Sequence, residues 1–197
     1  MPSITANSTD GYVTRYAQSS WSNARDNASG TAVASGGDRH YTAIAASKAS
    51  GRAGTIYNIF RSFFSFDTTK ITTKPNEARL YLRGYNQGGG IPVVLKSTSD
   101  ISTLGTGDFN AIEGYSGGNY NRTDGIGGGS AVFHVTHYSL PIASWSTSGY
   151  NNIPLNSNAL IDMAVNPVIY MVLVNHTHDL LDIVPIGLAQ NGLYYVD

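Results

Sequence analysis

The chain has 197 residues, of which 41% are hydrophobic and 13% are charged, and its formal net charge is −1. This length is enough for one sizeable core, and a net charge near zero provides no basic field to attract nucleic acid or an anionic membrane. Since the sequence contains no cysteine, neither disulfides nor thiolate metal ligands contribute to the fold.

Short alternating or apolar segments, separated by clusters of Gly, Asn, Ser and Pro, predict an all-β protein with an antiparallel β-sandwich or barrel. In chain order the predicted strands are residues 11–16, 43–46, 55–66, 77–85, 91–97, 131–138, 167–175 and 181–188, with a short closing strand at 192–196. We expect a single domain over residues 1–197. A loop-rich insertion is expected at about 19–54 and a Gly- and Asn-rich loop at about 104–130.

The segment FRSFFSFD begins at Phe60 and raises the question of whether its aromatic residues bind a ligand or fill a core. Strand alternation places Phe60, Phe64 and Phe66 on one face, which suits a packed core. We expect Arg61 and Asp67 to tie strand ends together by hydrogen bonds. The segment is therefore interpreted as mainly architectural.

The next predicted strand contains ARLYLRGY, residues 78–85, which alternates as well. Its apolar face carries Leu80, Leu82 and Gly84, and its other face carries Arg79, Tyr81, Arg83 and Tyr85. The later run VIYMVLV, residues 168–174, is apolar on both faces, which indicates a central strand covered on two sides.

Three short motifs occur in order before the late apolar strand and the short closing one. They are D-x-Y-V with Asp10, Tyr12 and Val13; R-S-x-x-x-F-D with Arg61, Ser62, Phe66 and Asp67; and A-x-L-x-L with Ala78, Leu80 and Leu82. In these motifs the chain resembles the DNRLRE-type jelly-roll domains, which are related to some carbohydrate-binding modules and occur in bacteriophage virion and bacterial surface proteins. The resemblance implies a jelly-roll sandwich. The chain departs from the family pattern in having no Trp within residues 104–130 and a long insertion at 19–54.

Aromatic residues beside Asn and Ser in predicted loops are candidates for ligand binding. These residues are Tyr115, Tyr120, Trp145 and Tyr150. Exposed aromatic rings with amide neighbours stack on sugar rings and hydrogen-bond to them, and the same side chains suit protein interfaces. Both alternatives stay open at the level of the sequence.

Two groups of residues are candidate metal ligands. Asn119, Asn121 and Asp124 offer oxygen atoms at near-regular spacing, which suits Ca²⁺, and a surface loop without bound metal is the favoured alternative. His176 and His178 would share one face of an extended segment, where a metal would need further ligands from symmetry copies.

No H-E-x-x-H motif occurs and glutamate is scarce, so we expect no enzymatic activity. The first residues, MPSITANSTDGYV, lack the features of a secretion signal, which predicts synthesis in a host cytoplasm.

With the resemblance, these observations predict a bacteriophage virion protein, a capsid decoration or fibre component. We expect a homo-oligomer, in particular a trimer, that contacts the major capsid protein or other virion proteins and neither nucleic acid nor membrane. The alternative is a carbohydrate-binding adhesion module that holds a particle or cell to polysaccharide.

Overall fold

The computed structural model describes residues 3–7, 9–35, 41–51, 54–116, 119–120 and 135–195. Its strands are β1 (Gly11–Gln18), β2 (Ala32–Ser35), β3 (Tyr41–Gly51), β4 (Gly54–Asp67), β5 (Arg79–Gly88), β6 (Pro92–Lys96), β7 (Tyr115–Ser116), β8 (Asn119–Tyr120), β9 (Tyr150–Pro154), β10 (Val168–Asn175) and β11 (Leu188–Leu193). The helices are α1 (Trp21–Arg25) and α2 (Ser157–Val165). Single turns of other helix types occur at Ile101–Thr103, Thr106–Asn110 and His176–Leu180. No helix in the described ranges is both long and apolar enough to span a membrane.

The long strand β4 connects two parts of an antiparallel β-sandwich. The strands pair in the order β2-β1-β4-β3-β11-β5-β9, and β10 joins β4 to β6. The first part of β4 pairs with β1 and β3, whereas its last six residues, from Ser62 to Asp67, pair with β10. An all-β sandwich is therefore confirmed, and the more specific jelly-roll assignment stays a prediction.

Both faces of β4 are buried, so the aromatic segment is architectural on two sides. Phe64 (3% exposed) packs into one hydrophobic cluster with residues of β5, β9, β10 and α2. Phe63 (0% exposed) points the opposite way into a second cluster, which α1 and the turn at Ile101–Thr103 help to close. Burial of each such ring contributes roughly 1.5–3 kcal/mol.

The polar residues at the two ends of the aromatic segment differ in role. Asp67 is exposed and accepts hydrogen bonds from the Thr69 backbone N–H (2.9 Å) and hydroxyl (2.6 Å), so it closes the turn after β4 locally and does not tie two strand ends together. Arg61 does not sit at a strand end. It lies within β4 and is fully buried, and it pairs with the equally buried Asp179, the neighbour of Leu180 in the second cluster.

Strand β10 confirms the prediction of a doubly covered central strand. It pairs with β4 on one side and β6 on the other. Met171 faces the first cluster and Val172 the second, and both are at most 1% exposed. This layer forms the rigid middle of the protein.

Several boundaries differ from the sequence prediction. The predicted strand at 181–188 is wrong, because the chain makes a π-helical turn at His176–Leu180 and runs irregularly before β11 begins at Leu188. The segment 19–54 is more regular than expected, since it contributes α1, β2 and β3. Of the predicted strand at 131–138, residues 131–134 lie outside the described residues, and His137 makes an isolated bridge to Leu95.

Candidate functional site

The outward face of β5 carries exposed aromatic and basic residues. Alternation buries Leu80 and Leu82, each 6% exposed, and turns the intervening side chains to solvent. Tyr81 is 56% exposed and Tyr85 44% exposed. The sequence analysis predicted this division of the strand correctly.

Neighbouring strands extend this face on both sides. On the edge strand β9, Tyr150 (53% exposed) lies opposite Arg83, and Asn152 lies opposite Tyr81. On the other side Tyr194, just after β11, donates its backbone N–H to Arg83 O at 3.0 Å. We call this surface the tyrosine face and define it by Arg79, Tyr81, Arg83, Tyr85, Tyr150 and Tyr194.

Side chains within the tyrosine face contact one another. The Arg83 guanidinium lies 4.9 Å from the centroid of the Tyr194 ring. Tyr85 meets the same ring edge-on, with centroids 5.5 Å apart. Arg79 donates to Asn152 Oδ1 at 3.2 Å and lies 3.9 Å from Glu77. These contacts restrict the side chains, so the face is partly organised before anything binds to it.

A loop packed against β5 and β9 supports the tyrosine face. Asn151 is buried and ties the loop to β5, since its Nδ2 donates to Leu82 O and Ser146 O, both at 3.1 Å. Its Oδ1 accepts the Ser146 backbone N–H at 2.7 Å. Gly84 allows the close approach, because a Cβ at this position would lie 1.7 Å from Ser146 O.

Trp145 belongs to this supporting loop and not to the exposed surface. It is 4% exposed, packs in the first cluster, and donates its indole N–H to Gly192 O at 3.1 Å. The expectation that it offers an exposed ring is therefore corrected. An indole has one donor and a large apolar body, so burial with that donor satisfied is favourable.

Tyr115 and Tyr120 lie elsewhere. Tyr115 is half-buried, borders the second cluster and donates its hydroxyl to Arg25 O at 3.1 Å. Burial raises the pKa of its phenol. Tyr120 pairs with Tyr115 through the short β7–β8 ladder, and its side chain lies outside the described residues. Of the four predicted ligand-binding aromatics, only Tyr150 belongs to the tyrosine face.

Arg61 and Asp179 form an ion pair in which both side chains are fully buried. Arg61 donates to both carboxylate oxygens of Asp179, each at 2.7 Å, and both side chains are 0% exposed. The same guanidinium donates to Phe109 O at 2.7 Å and lies 4.0 Å from the Phe109 ring centroid. Arg25 donates to the Asp179 backbone O at 2.6 Å. These groups satisfy one another, which indicates a structural role.

The predicted metal ligands do not form a site among the described residues. Asn121 and Asp124 lie outside these residues, and Asn119 is described only as part of β8. His176 and His178 stand in a π-helical turn and not in an extended segment, because Asn175 caps that turn by accepting the His178 backbone N–H. His178 Nδ1 lies 2.6 Å from Ile183 O. No group of three or more His, Cys, Asp or Glu residues suited to a metal occurs in the described ranges.

A shallow depression of about 210 Å³ lies beside α2 and contains charged residues that sequence reasoning did not select. Lys96 Nζ lies 3.0 Å from Glu113 Oε1 and 3.2 Å from Asp162 Oδ2. Tyr138 donates to Asp162 Oδ2 at 2.5 Å. Burial alone would lower the pKa of Lys96, but the two carboxylates raise it overall. Lys96 is therefore paired with both carboxylates, and the cluster holds one more negative charge than positive charge.

No protein-family model matches the chain, and no curated protein matches its sequence. The resemblance to DNRLRE-type jelly-roll domains therefore stays a prediction. The tyrosine face joins exposed aromatic rings to guanidinium groups on strands whose inner faces are packed, which makes it the candidate functional site.

Proposed function

We propose that the protein is a non-enzymatic structural component of a bacteriophage particle, a capsid decoration or fibre protein, which assembles as a homo-oligomer and docks on another virion protein. The tyrosine face is the observation that carries this proposal. Tyr and Arg are enriched at protein interfaces, where their large side chains supply contact area and hydrogen bonds together. The motif resemblance supports the assignment to a virion.

The rigidity of the scaffold supports a structural role. The layer of β4 and β10 is covered by hydrophobic clusters on both faces, and the buried Arg61–Asp179 pair fixes the turn at His176–Leu180 against β4. We expect this packing to hold the side chains of the tyrosine face in place. Binding then loses less conformational entropy than it would on a mobile loop.

A carbohydrate-binding adhesion module is the second candidate, and a specific observation favours it. Tyr81 lies opposite Asn152 and next to the exposed Tyr150 in the β5–β9 ladder. Two exposed rings beside an amide provide both stacking surface and hydrogen bonds for a sugar.

The deciding experiment combines a light-scattering mass with a glycan array. The wild-type protein is compared with a variant carrying Tyr81→Ser, Tyr85→Ser and Tyr150→Ser, and with the control Tyr16→Ser. Tyr16 is 50% exposed on β1, outside the tyrosine face. A stable oligomer without glycan binding supports the virion role. A monomer with saturable glycan binding that only the triple variant loses would replace it with the adhesion module.

A further inference from the structure

We propose that residues 183–188 form a contact between two copies of this chain, in which the same loop of each subunit packs against its counterpart around a two-fold axis. This inference rests on the proposed homo-oligomer and names one of its interfaces. The sequence of these residues is IVPIGL, and we call them the apolar loop. The loop leads from the π-helical turn at His176–Leu180 into β11.

The aliphatic side chains of the apolar loop stand in solvent. Ile186 is 98% exposed, more than any other exposed large hydrophobic residue in the described part of the chain. Three further aliphatic residues of the loop are between 46% and 58% exposed, namely Ile183, Val184 and Leu188. Single exposed apolar residues are common on soluble proteins, whereas four within six consecutive positions are typical of an interaction site.

The apolar loop is held in this exposed position at both ends. At its start the Ile183 backbone oxygen lies 2.6 Å from His178 Nδ1, and near its end Gly187 O accepts the Lys48 backbone N–H at 3.0 Å. Pro185, in the middle, is buried. The exposed side chains therefore cannot turn back onto their own subunit unless these contacts break. A loop that is already ordered also loses less conformational entropy when it binds.

Charged residues at the two ends of the apolar loop have opposite signs. Asp182, whose side chain is 45% exposed, precedes the loop, and the partly exposed Lys48 lies at its other end beside Gly187. The six loop residues carry no charge. A two-fold axis through the middle of the loop brings the Asp182 end of one copy opposite the Lys48 end of the other. The surface is therefore complementary to itself in both apolar character and charge.

A second copy fits the apolar loop better than a highly charged partner does. A charge placed against the uncharged middle of the loop would lose its water without gaining an opposite charge. The loop is short, so we expect an equilibrium that dilution reverses and not a permanent dimer. A two-fold contact joins subunits in pairs, so the trimer expected from the sequence would require a further, different contact.

The first test measures the mass of the full chain by light scattering from about 1 µM to 1 mM. We expect the mass to fall on dilution as subunits separate. Ile186→Ser should raise the dissociation constant about tenfold or more, because it removes the most exposed aliphatic side chain of the contact. The matched control Val165→Ser removes a side chain that is 69% exposed at the end of α2, and it should associate as the wild type does.

A charge reversal tests the orientation of the two loops. Lys48→Glu places a carboxylate opposite Asp182 of the second copy, so it should weaken association about threefold or more. The control Lys70→Glu changes the net charge of the chain by the same amount on an exposed turn after β4 and should leave association unchanged. Circular dichroism spectra establish that each variant is folded.

The cysteine-free sequence permits a geometric test. In the proposed contact position 186 lies near the two-fold axis, so the two introduced sulfur atoms of Ile186→Cys can meet. Incubation with oxidised glutathione should therefore produce a disulfide-linked dimer on a non-reducing gel. Val165→Cys, treated alike, should remain a single chain.

Association of Ile186→Ser with the wild-type affinity would overturn the inference, and so would equal cross-linking of Ile186→Cys and Val165→Cys. An oligomer with either result keeps the wider assembly and assigns it to another surface. A wild-type protein that stays monomeric throughout would overturn both the contact and the proposed assembly. If that monomer sediments with phosphatidylcholine vesicles and Ile186→Ser does not, the loop binds lipid instead. A dimer that depends on Ile186 and binds glycans through the tyrosine face would keep this inference and replace the virion role.

Discussion

At the scale of single residues, the Arg61–Asp179 pair shows how far local sequence information reaches. Alternation within FRSFFSFD assigns Arg61 to the face opposite Phe64, and the structure agrees. Its partner lies 118 residues further along the chain, in a turn with no periodic signal. The identity of the partner follows only from the packing of the second cluster, so the sequence alone did not reveal it.

Replacing Asp179 by Asn should destabilise the protein strongly. The amide keeps the shape of the carboxylate but leaves the Arg61 charge buried without a counter-charge, which costs about 3–5 kcal/mol. Urea denaturation measures the loss in the free energy of unfolding. The control Asp67→Asn changes an exposed carboxylate on the same strand as Arg61 and should leave the free energy of unfolding nearly unchanged. Similar losses in the two variants would contradict the structural role of the pair.

Asp10 should make the stability of the protein depend on pH. It is 5% exposed, and burial raises its pKa from 3.8 to about 7, although its acceptance of the Ser65 backbone N–H opposes this rise. Because the folded state binds this proton more tightly than the unfolded state does, the contribution of Asp10 is fully present below about pH 4. It is lost as the pH rises to about 7.

The variant Asp10→Asn tests this dependence, since the amide resembles the protonated acid and does not titrate. We expect the variant to be more stable than the wild type at pH 8, by more than about 1 kcal/mol, with the advantage vanishing at pH 4. Thermal unfolding over this pH range provides the comparison. An unchanged difference across the range would show that Asp10 titrates alike in the folded and unfolded states.

At the scale of elements, alternation predicts strands well where one face is buried and poorly where neighbours determine the conformation. Strands β1, β4, β5 and β10 carry clear alternating or apolar patterns, and all are present near the predicted positions. The short polar strand β9 was missed. Its sequence is YNNIP. It adopts the extended conformation because β5 supplies its hydrogen bonds and Ile153 packs in the first cluster.

The tyrosine face was predictable in part for the same reason. The outward set on β5 follows from the period of two, whereas Tyr150 and Tyr194 join it through the register of β9 and the end of β11. Local sequence patterns do not predict which distant strands pair with one another. Trp145 illustrates the opposite error, because a loop residue was assumed to be exposed and instead fills the first cluster.

Gly84→Ala tests the close contact between β5 and the loop that supports the tyrosine face. A Cβ would lie 1.7 Å from the backbone oxygen of Ser146, which cannot move without disturbing the Asn151 hydrogen bonds. We expect a loss of about 3 kcal/mol or more in the free energy of unfolding. Gly88→Ala on the same strand is the matched control. Its nearest contact is the Gln190 side chain at 3.1 Å, which can shift, so a loss below about 1 kcal/mol is expected. Equal losses of stability in the two variants would contradict the close contact and would show that the loop lies farther from β5.

At the scale of the whole molecule, burial predicts a gradient of local stability from the central layer to the edge strands. Strands β4 and β10 are hydrogen-bonded on both sides and lie between the two hydrophobic clusters. Within the described ranges, strand β2 pairs only with β1, and β9 pairs only with β5. Amide hydrogen exchange should therefore be slowest in β4 and β10, where it requires global unfolding, and much faster in β2 and β9.

Repeating the exchange measurement at several protein concentrations connects this gradient to assembly. In an isolated subunit the amides of β9 remain the fast group, because nothing covers the outer edge of that strand in the described part of the chain. If subunits associate along β9, its protection should rise with concentration while that of β2 stays constant. Fast exchange in β10 at any concentration would contradict the central layer itself, since no assembly contact is needed to protect a strand already covered on both faces.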